Sequence, residues 1–159
     1  MEQKKLAIIA TKGSLDWAYP PFILASTAAA LGYEVEIFFT FYGLQLLRKK
    51  PNLEVTPLGN PGMPMPMGMD KWFPVLGTAL PGMQAMMTSM MKKKMADKGV
   101  ASIEELRDLA IEADVKMIAC QMTVDLFDMD TAEFMDEVEY AGAARFFEFA
   151  GESDICLYI

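Results

Sequence analysis

The sequence predicts a three-layer α/β fold, with helices on both faces of a mainly parallel sheet of four to five strands. Short apolar segments of strand length alternate along the chain with longer segments of helical periodicity. The first apolar segment, Leu6–Thr11, has almost no polar interruption, as is typical of a strand buried on both faces. The 159 residues are 53% hydrophobic, which is enough for one core. We therefore expect residues 1–159 to form a single domain.

The first strand is followed by a loop, a helix and a second strand. The loop is predicted over Lys12–Tyr19. Pro20 and Pro21 then begin the helix, because proline is tolerated in a first helical turn. Gly32 ends this helix. Glu34–Thr40 is rich in β-branched and aromatic residues, which predicts the second strand.

The middle of the chain departs from this alternation. A short helix is predicted over Gly43–Lys49 and a short strand over Leu53–Thr56. Residues 57–82 hold six of the nine prolines and five of the eleven glycines, which predicts a long loop. A helix that reaches Lys98 follows. Its methionines recur at i, i+3, i+4, i+7 and i+8 along one face: Met83, Met86, Met87, Met90 and Met91. Residues 57–98 are therefore a distinctive loop and helix rich in methionine.

A helix and a strand follow the methionine-rich segment. Ser102 and Glu105 have the spacing of a capping box, which predicts a helix that begins there and runs to about Ala113. Val115–Ala119 is apolar and β-branched at its start, and it is the predicted next strand.

The last part of the chain is predicted to be a long helix and a strand. Asp130 and Glu133 repeat the capping pattern at the start of the helix. The buried side of the helix is predicted from its apolar and small residues: Met135, Val138, Gly142, Phe146 and Phe149. Ser153–Ile159 is the predicted final strand. Because parallel strands are joined by right-handed crossovers, the whole order favours a flavodoxin-like domain.

Composition excludes several classes of function. The chain has no histidine, so it cannot by itself form a Ser-His-Asp triad, a Cys-His dyad or a histidine-ligated zinc site. The net charge is −8, with 15 acidic and 3 basic residues in 101–159, which argues against nucleic acid as a partner. Two cysteines, Cys120 and Cys156, are too few for a disulfide framework and favour a cytoplasmic location.

One uncharged segment has the length of a membrane span. Trp72–Met91 contains twenty residues without a charge. Prolines and glycines interrupt it, however, and four polar side chains dilute it. We therefore expect a loop followed by a helix, and association with a membrane is not the favoured interpretation.

Three segments are expected to meet at the carboxyl edge of the sheet, where open parallel sheets bind their ligands. They follow three of the predicted strands: Lys12-Gly13-Ser14, Thr40-Phe41-Tyr42-Gly43 and Cys120-Gln121-Met122-Thr123. Their polar, small and aromatic residues are the predicted substrate-binding residues: Lys12, Gly13, Ser14, Tyr42, Gln121 and Thr123.

Cys120 is the candidate nucleophile at this edge. It follows a predicted strand and precedes a predicted short helix, whose free N–H groups and dipole favour the thiolate over the thiol. Position alone leaves open a second interpretation, in which Cys120 is a small buried hydrophobic residue. Cys156 has apolar neighbours within the last strand, which favours a purely structural role.

Two further interpretations concern binding rather than nucleophilic chemistry. The Lys12-Gly13-Ser14 loop has the composition of an anion site, but it lacks the glycine-rich fingerprints of nucleotide-binding loops. Met63, Met65, Met67 and Met69 alternate with proline and glycine, and thioethers are soft ligands that suit Cu(I). Since no histidine assists them, we favour an adaptable apolar interaction surface over a copper site.

Taken in order, these motifs resemble the DsrE/DsrF-like family, in particular a branch formerly labelled peroxiredoxin-like, and the resemblance covers essentially the whole chain. Its motifs are Gly13-Ser14-Leu15-Asp16 with Pro20-Pro21-Phe22, Phe38–Leu44, the methionine-rich segment, and Ala119-Cys120-Gln121-Met122. A peroxiredoxin activity is not expected, because no Thr-x-x-Cys motif precedes Cys120.

The resemblance implies a cytoplasmic sulfur carrier or sulfurtransferase with a flavodoxin-like subunit that forms a homo-oligomer. It implies that Cys120 carries sulfane sulfur as a persulfide, without metal or organic cofactor. It also implies that the partners are sulfur-relay proteins such as TusA-like carriers or rhodanese. Two other classes stay open: a nucleotide- or anion-binding module, and a copper-handling or membrane-surface adaptor built on the methionine-rich segment.

Overall fold

The computed structural model describes residues 3–58, 68 and 75–159, and these residues form two compact units. The first, which we call the sheet unit, comprises the described residues of 1–13, 17–52 and 102–159. The second unit comprises residues 14–16 and the described residues of 53–101.

The sheet unit contains five parallel strands in the order β4-β3-β2-β1-β5. The strand bounds are β1 Lys5–Ala10, β2 Glu34–Phe39, β3 Lys116–Cys120, β4 Glu139–Ala141 and β5 Ile155–Tyr158. The predicted α/β class with a parallel sheet is therefore confirmed. The chain moves in one direction from β1 to β4 and then returns to place β5 on the other side of β1.

Within the described residues, five α-helices accompany the strands. Their bounds are α1 Leu15–Ala30, α2 Met83–Asp97, α3 Ile103–Glu112, α4 Gln121–Leu126 and α5 Ala143–Ala150. Segments of 3₁₀ helix cover Phe41–Leu47, Val75–Ala79 and Thr131–Glu133. The reversal of direction after β4 is consistent with helices on both faces, because right-handed crossovers in opposite directions lie on opposite faces.

Aromatic contacts identify the two covered faces of the sheet. Phe39 of β2 packs on Phe22 of α1, with ring centroids 5.9 Å apart. Its neighbour Phe38 stacks on Phe146 of α5 at 5.1 Å. Because successive strand residues point to opposite faces, α1 and α5 lie on opposite sides of the sheet, as a three-layer fold requires.

The first helix begins earlier than the sequence predicted. It starts at Leu15, so Pro20 and Pro21 lie inside it rather than at its start. The buried stripe explains this start, since four residues at helical spacing are at most 3% exposed: Leu15, Ala18, Phe22 and Ala25. The prolines remove only the bonds to the carbonyls of residues 16 and 17, so burial of the stripe outweighs their local preference.

The predicted long helix after Asp130 is wrong. The structure instead has the 3₁₀ helix Thr131–Glu133, strand β4 and the short helix α5. Ile118 of β3 pairs with Glu139 of β4, so ladder hydrogen bonds take up the backbone that the pattern assigned to a helix. The apolar spacing was compatible with both structures, and pairing with a strand far away in sequence decided between them.

The predicted strand Leu53–Thr56 is also absent from the five-stranded sheet. Leu53 and Val55 are buried, which accounts for the strand-like alternation. In the second unit, however, the Val55 N–H donates to the Thr88 hydroxyl at 3.0 Å, and Gln84 donates to the Val55 carbonyl. Side chains of α2 therefore satisfy the backbone groups that a neighbouring strand would have paired.

The remaining predicted elements agree more closely with the structure. The capping box at Ser102 and Glu105 is present in both directions, and α3 ends one residue before the predicted Ala113. The predicted helix over Gly43–Lys49 is the 3₁₀ helix Phe41–Leu47, which begins two residues earlier. The methionine-bearing helix is α2, and its methionines are half-buried or exposed.

Two predicted features involve residues that are not described. Met63, Met65, Met67 and Met69 all lie outside the described residues, as do residues 72–74 of the uncharged segment. Among the helices that are described, none combines the length and apolar character needed to cross a membrane.

Candidate functional site

Parts of all three segments that were predicted to meet lie in the sheet unit, and two glycines show how closely the first two approach each other. A Cβ on Gly13 would clash with the Tyr42 carbonyl oxygen and lie 3.0 Å from Gln45 Cβ. A Cβ on Gly43 would clash with the Ala10 carbonyl oxygen. Only glycine permits such close approach of backbone to backbone. The residues after β1 and β2 are therefore packed directly against each other.

Thr123 joins the third segment to the second. Its side chain is fully buried, and its Oγ1 accepts a hydrogen bond from the Phe41 N–H at 3.1 Å and lies 3.3 Å from Thr40 Oγ1. Phe41 has a φ of 50°, an unfavourable backbone conformation for a residue other than glycine. The threonine hydroxyl thus holds the strained turn after β2 against the first helical turn after β3.

Replacing Thr123 with valine is expected to lower the free energy of unfolding by about 1–3 kcal/mol. Valine keeps the shape but leaves the buried N–H of Phe41 without its acceptor. Urea denaturation measures the loss, and hydrogen exchange at the Phe41 amide should accelerate. Thr123→Ser retains the hydroxyl and serves as the matched control. Equal stability of the valine and serine variants would contradict this role for Thr123.

Cys120 begins the third of these segments. It is the last residue of β3, is paired in register with Ala141 of β4, and directly precedes α4. Only 4% of its surface is exposed. The cysteine therefore combines a strand-end position with shielding from solvent.

Cys156 is exposed, which corrects the interpretation based on its apolar neighbours. It lies on β5, an edge strand that pairs only with β1 in the described sheet. Ile155 and Tyr158 on either side of it are 42% and 75% exposed. The apolar sequence resembles a buried strand, but nothing in a local pattern indicates whether a neighbouring element covers it.

The other predicted binding residues have different surroundings. Lys12 Nζ lies over the Trp17 ring, 3.2 Å from its centroid, in a cation–π contact. Gln121 donates to Asp125 Oδ1 at 2.8 Å within α4. Ser14 belongs to the second unit, where its hydroxyl lies 3.2 Å from Thr56 Oγ1. The described contacts of Lys12 and Gln121 are thus with residues four or five positions further along the chain.

Tyr42, a predicted binding residue, is part of an exposed aromatic cluster with Phe41 and Phe127. Its ring stacks on Phe127 at 6.1 Å, and Phe41 contacts both rings edge-on at 6.5 and 6.1 Å. The three rings are 42–64% exposed. They line a groove of about 490 Å³ together with polar residues of the 3₁₀ helix and of the segment after α4. Phe127 belongs to no sequence motif. Only its position after the helix that follows Cys120 indicated that it could lie near the site.

Sequence comparison assigns this arrangement to a family. A model of the DsrE/DsrF/DrsH-like family matches residues 2–158. The chain belongs to this family. The resemblance proposed from the strand-end motifs and Cys120 is thereby confirmed over nearly the entire length of the chain.

Two relatives illustrate the range of the DsrE/DsrF/DrsH-like family. The chain is 89% identical to "Sulfur carrier protein DsrE2" of Allochromatium vinosum, and the alignment covers 100% of both chains. It is 34% identical to the uncharacterized protein YrkE of Bacillus subtilis, with 99% of this chain and 98% of that protein covered. Among solved structures, YchN of E. coli matches with a TM-score of 0.56 at 11% identity, over 99% of this chain and 100% of that one. This likeness supports the fold.

Within this DsrE/DsrF/DrsH-like chain, the described residues contain no group of three or more cysteines and carboxylates placed to hold a metal ion. Arg107 of α3 is an ionisable group with a shifted pKa that contacts the segment after β2. Its burial lowers the pKa, while its Nη1 donates to the carbonyls of Leu46 and Arg48 at 3.1 and 2.6 Å. Arg107 therefore supports the 3₁₀ helix that forms one wall of the groove.

Proposed function

We propose that this protein is a sulfur carrier that accepts sulfane sulfur as a persulfide on Cys120 and passes it to the thiol of a partner protein. The observation that carries the proposal is the position of Cys120, shielded from solvent at the carboxyl end of β3, where the segments after β2 and β3 are locked together. The relative that is 89% identical over the full length is named a sulfur carrier, which supports the same function.

The proposed chemistry is thiol–persulfide exchange without net oxidation. The Cys120 thiolate attacks the outer sulfur of a donor persulfide, the donor S–S bond breaks, and the donor leaves as a thiolate. Cys120 then carries Cys–S–SH. An acceptor thiolate attacks the same outer sulfur and regenerates the Cys120 thiolate. One S–S bond forms and one breaks in each step, so no cofactor is required.

Burial of Cys120 fits a carrier better than an enzyme that reacts with any thiol in solution. A persulfide on an exposed cysteine is open to attack by small thiols, whereas only 4% of Cys120 is exposed. Loading and unloading consequently require local opening around the end of β3. Cys156 has no such protection and provides an internal comparison.

Intact-mass spectrometry after incubation with thiosulfate-charged rhodanese tests this proposal. Wild type is expected to gain one sulfur atom, about 32 Da, and Cys120→Ser is expected to gain none. Cys156→Ser is the matched control, because it removes the other free thiol and should still gain the sulfur. If Cys120→Ser gained the sulfur atom, or if no variant gained it, Cys120 would be excluded as the carrier.

A further part of the proposal concerns the assembly and location of the carrier. Phe147 of α5 is 66% exposed, and Ile155 and Tyr158 of the edge strand β5 are 42% and 75% exposed; large apolar side chains left exposed in this way support a homo-oligomer. Two free cysteines support a reducing, cytoplasmic location. Sedimentation of wild type and of Tyr158→Ser would test self-association, which the polar side chain should weaken.

A further inference from the structure

The aromatic groove lies on the two segments that leave the carboxyl ends of β2 and β3. One wall comes from the 3₁₀ helix that follows β2, and the other begins at Phe127, directly after α4. Met122 and Leu126 on α4, the helix that directly follows Cys120, are 59% and 57% exposed, so α4 also presents apolar surface. Exposed apolar surface at one place is a common mark of a protein interface.

The surroundings of the groove are acidic. Residues 121–138 contain six carboxylates and no lysine or arginine, and one of these carboxylates, Asp136, is paired with Lys49. Asp128, Asp130 and Glu133 line the groove and are exposed. Arg48 is the basic residue among the described lining, and it is paired with Glu133. The groove therefore presents an aromatic floor within a field of negative charge, which attracts a cationic partner.

The groove is close enough to Cys120 to act as a docking site for sulfur transfer. Only the six residues of α4 separate Cys120 from Phe127, a rise of about 10 Å along a helix. Three extended residues span the same distance. A partner anchored in the groove can thus present a thiol to Cys120 on a short flexible segment.

We propose that the aromatic groove docks a basic protein segment that carries an apolar anchor close to the acceptor or donor thiol. This inference rests on the proposed function, which requires the partner to carry a thiol. The charge and shape of the groove indicate the basic residues and the apolar anchor of the partner. The apolar anchor packs on Phe41, Tyr42 and Phe127, while lysines or arginines of the partner face the carboxylates.

Two aspartates allow the charge to be removed with little structural change. Asp128 has a φ of 46°, a conformation that asparagine also tolerates. Asp130 accepts a hydrogen bond from the Ala132 N–H as a helix cap, and asparagine can accept the same bond. Asp128→Asn/Asp130→Asn is therefore the test variant.

The chain offers a matched control at the opposite end of the sheet. Asp114 is also exposed, with a φ of 59°, and it precedes the amino end of β3. The strand places it about 16 Å from the carboxyl edge, beyond the Debye length at physiological ionic strength. Glu112→Gln/Asp114→Asn removes the same number of charges there.

The probes are two synthetic peptides that share an aromatic anchor and one cysteine, one rich in lysine and arginine and the other rich in glutamate. Sulfur transfer from persulfide-loaded protein to each peptide is measured relative to transfer to 2-mercaptoethanol, an uncharged small thiol. Versions of both peptides with serine in place of cysteine report binding alone by fluorescence anisotropy.

Wild type is expected to prefer the basic peptide in both assays. The Asp128/Asp130 variant should lose about tenfold in this preference, whereas the Glu112/Asp114 control should change it less than about twofold. Equal behaviour of the two peptides, or of the two double variants, would overturn the docking proposal. Failure of Cys120 to load with sulfur would instead count against the proposed function, and the serine peptides would still decide whether the groove binds.

Discussion

Replacing Gly43 with alanine is expected to destabilise the protein by about 3 kcal/mol, near the upper end for an overpacked site. The new Cβ would clash with the Ala10 carbonyl oxygen and lie 2.9 Å from the Ala10 carbonyl carbon. Both atoms are main chain at the end of β1, which pairs with strands on both sides. Neither can move without disturbing the sheet, so the clash cannot be relieved cheaply. Chemical denaturation measures the loss.

Gly142 provides the control for this substitution. It precedes α5 with a φ of −90°, and a Cβ there would meet no atom within 4 Å. Gly142→Ala should therefore cost less than about 1 kcal/mol, mainly through a poorer helix cap. Similar losses for the two variants would show that the close contact between Gly43 and β1 is not what limits stability.

Replacing Arg145 with methionine is the second change with a large expected effect. Arg145 Nη1 and Nη2 donate to the two carboxylate oxygens of Glu36 at 3.1 and 2.9 Å, and the Glu36 side chain is only 4% exposed. The hydrogen bond to Glu36 raises the pKa of Arg145. Without the guanidinium, the carboxylate on β2 is left buried and unpaired. The expected loss is about 3 kcal/mol, because Arg145 is partly exposed and water can partly replace it.

Two controls separate the buried charge from loss of packing at Arg145. Glu36→Leu/Arg145→Met removes both charges and should recover most of the stability, since well-packed apolar residues often replace a buried pair without loss. Lys49→Met breaks an exposed pair with Asp136 and should change stability by less than about 1 kcal/mol. If the double variant were less stable than Arg145→Met, the buried carboxylate would not be the cause.

The candidate site illustrates what can be predicted without coordinates. The carboxyl ends of parallel strands share one edge of a sheet, so the convergence of the segments that contain Gly13, Tyr42 and Thr123 followed from strand order along the chain alone. The role of Thr123 as the acceptor for Phe41, and the aromatic partner Phe127, did not follow from it. Both depend on distances between segments some 80 residues apart, and residue type does not encode such distances.

Local signals in the sequence were sufficient to predict several of the elements. The capping box of α3, the helix α2, the strands β1, β2 and β3, and the position of Cys120 all follow from neighbours within a few residues. These signals depend on backbone hydrogen bonds and side-chain spacing within one element, so they survive without tertiary contacts.

The pairing of the elements and the exposure of their surfaces depend instead on the tertiary structure. It converted part of a predicted helix into β4, put β5 at an edge beside β1, and left Cys156 exposed while Cys120 is buried. This is because strand pairing and burial depend on contacts between segments that are distant in the sequence. An apolar stretch has nearly the same local preference whether another element covers it or not, and the fold supplies the difference.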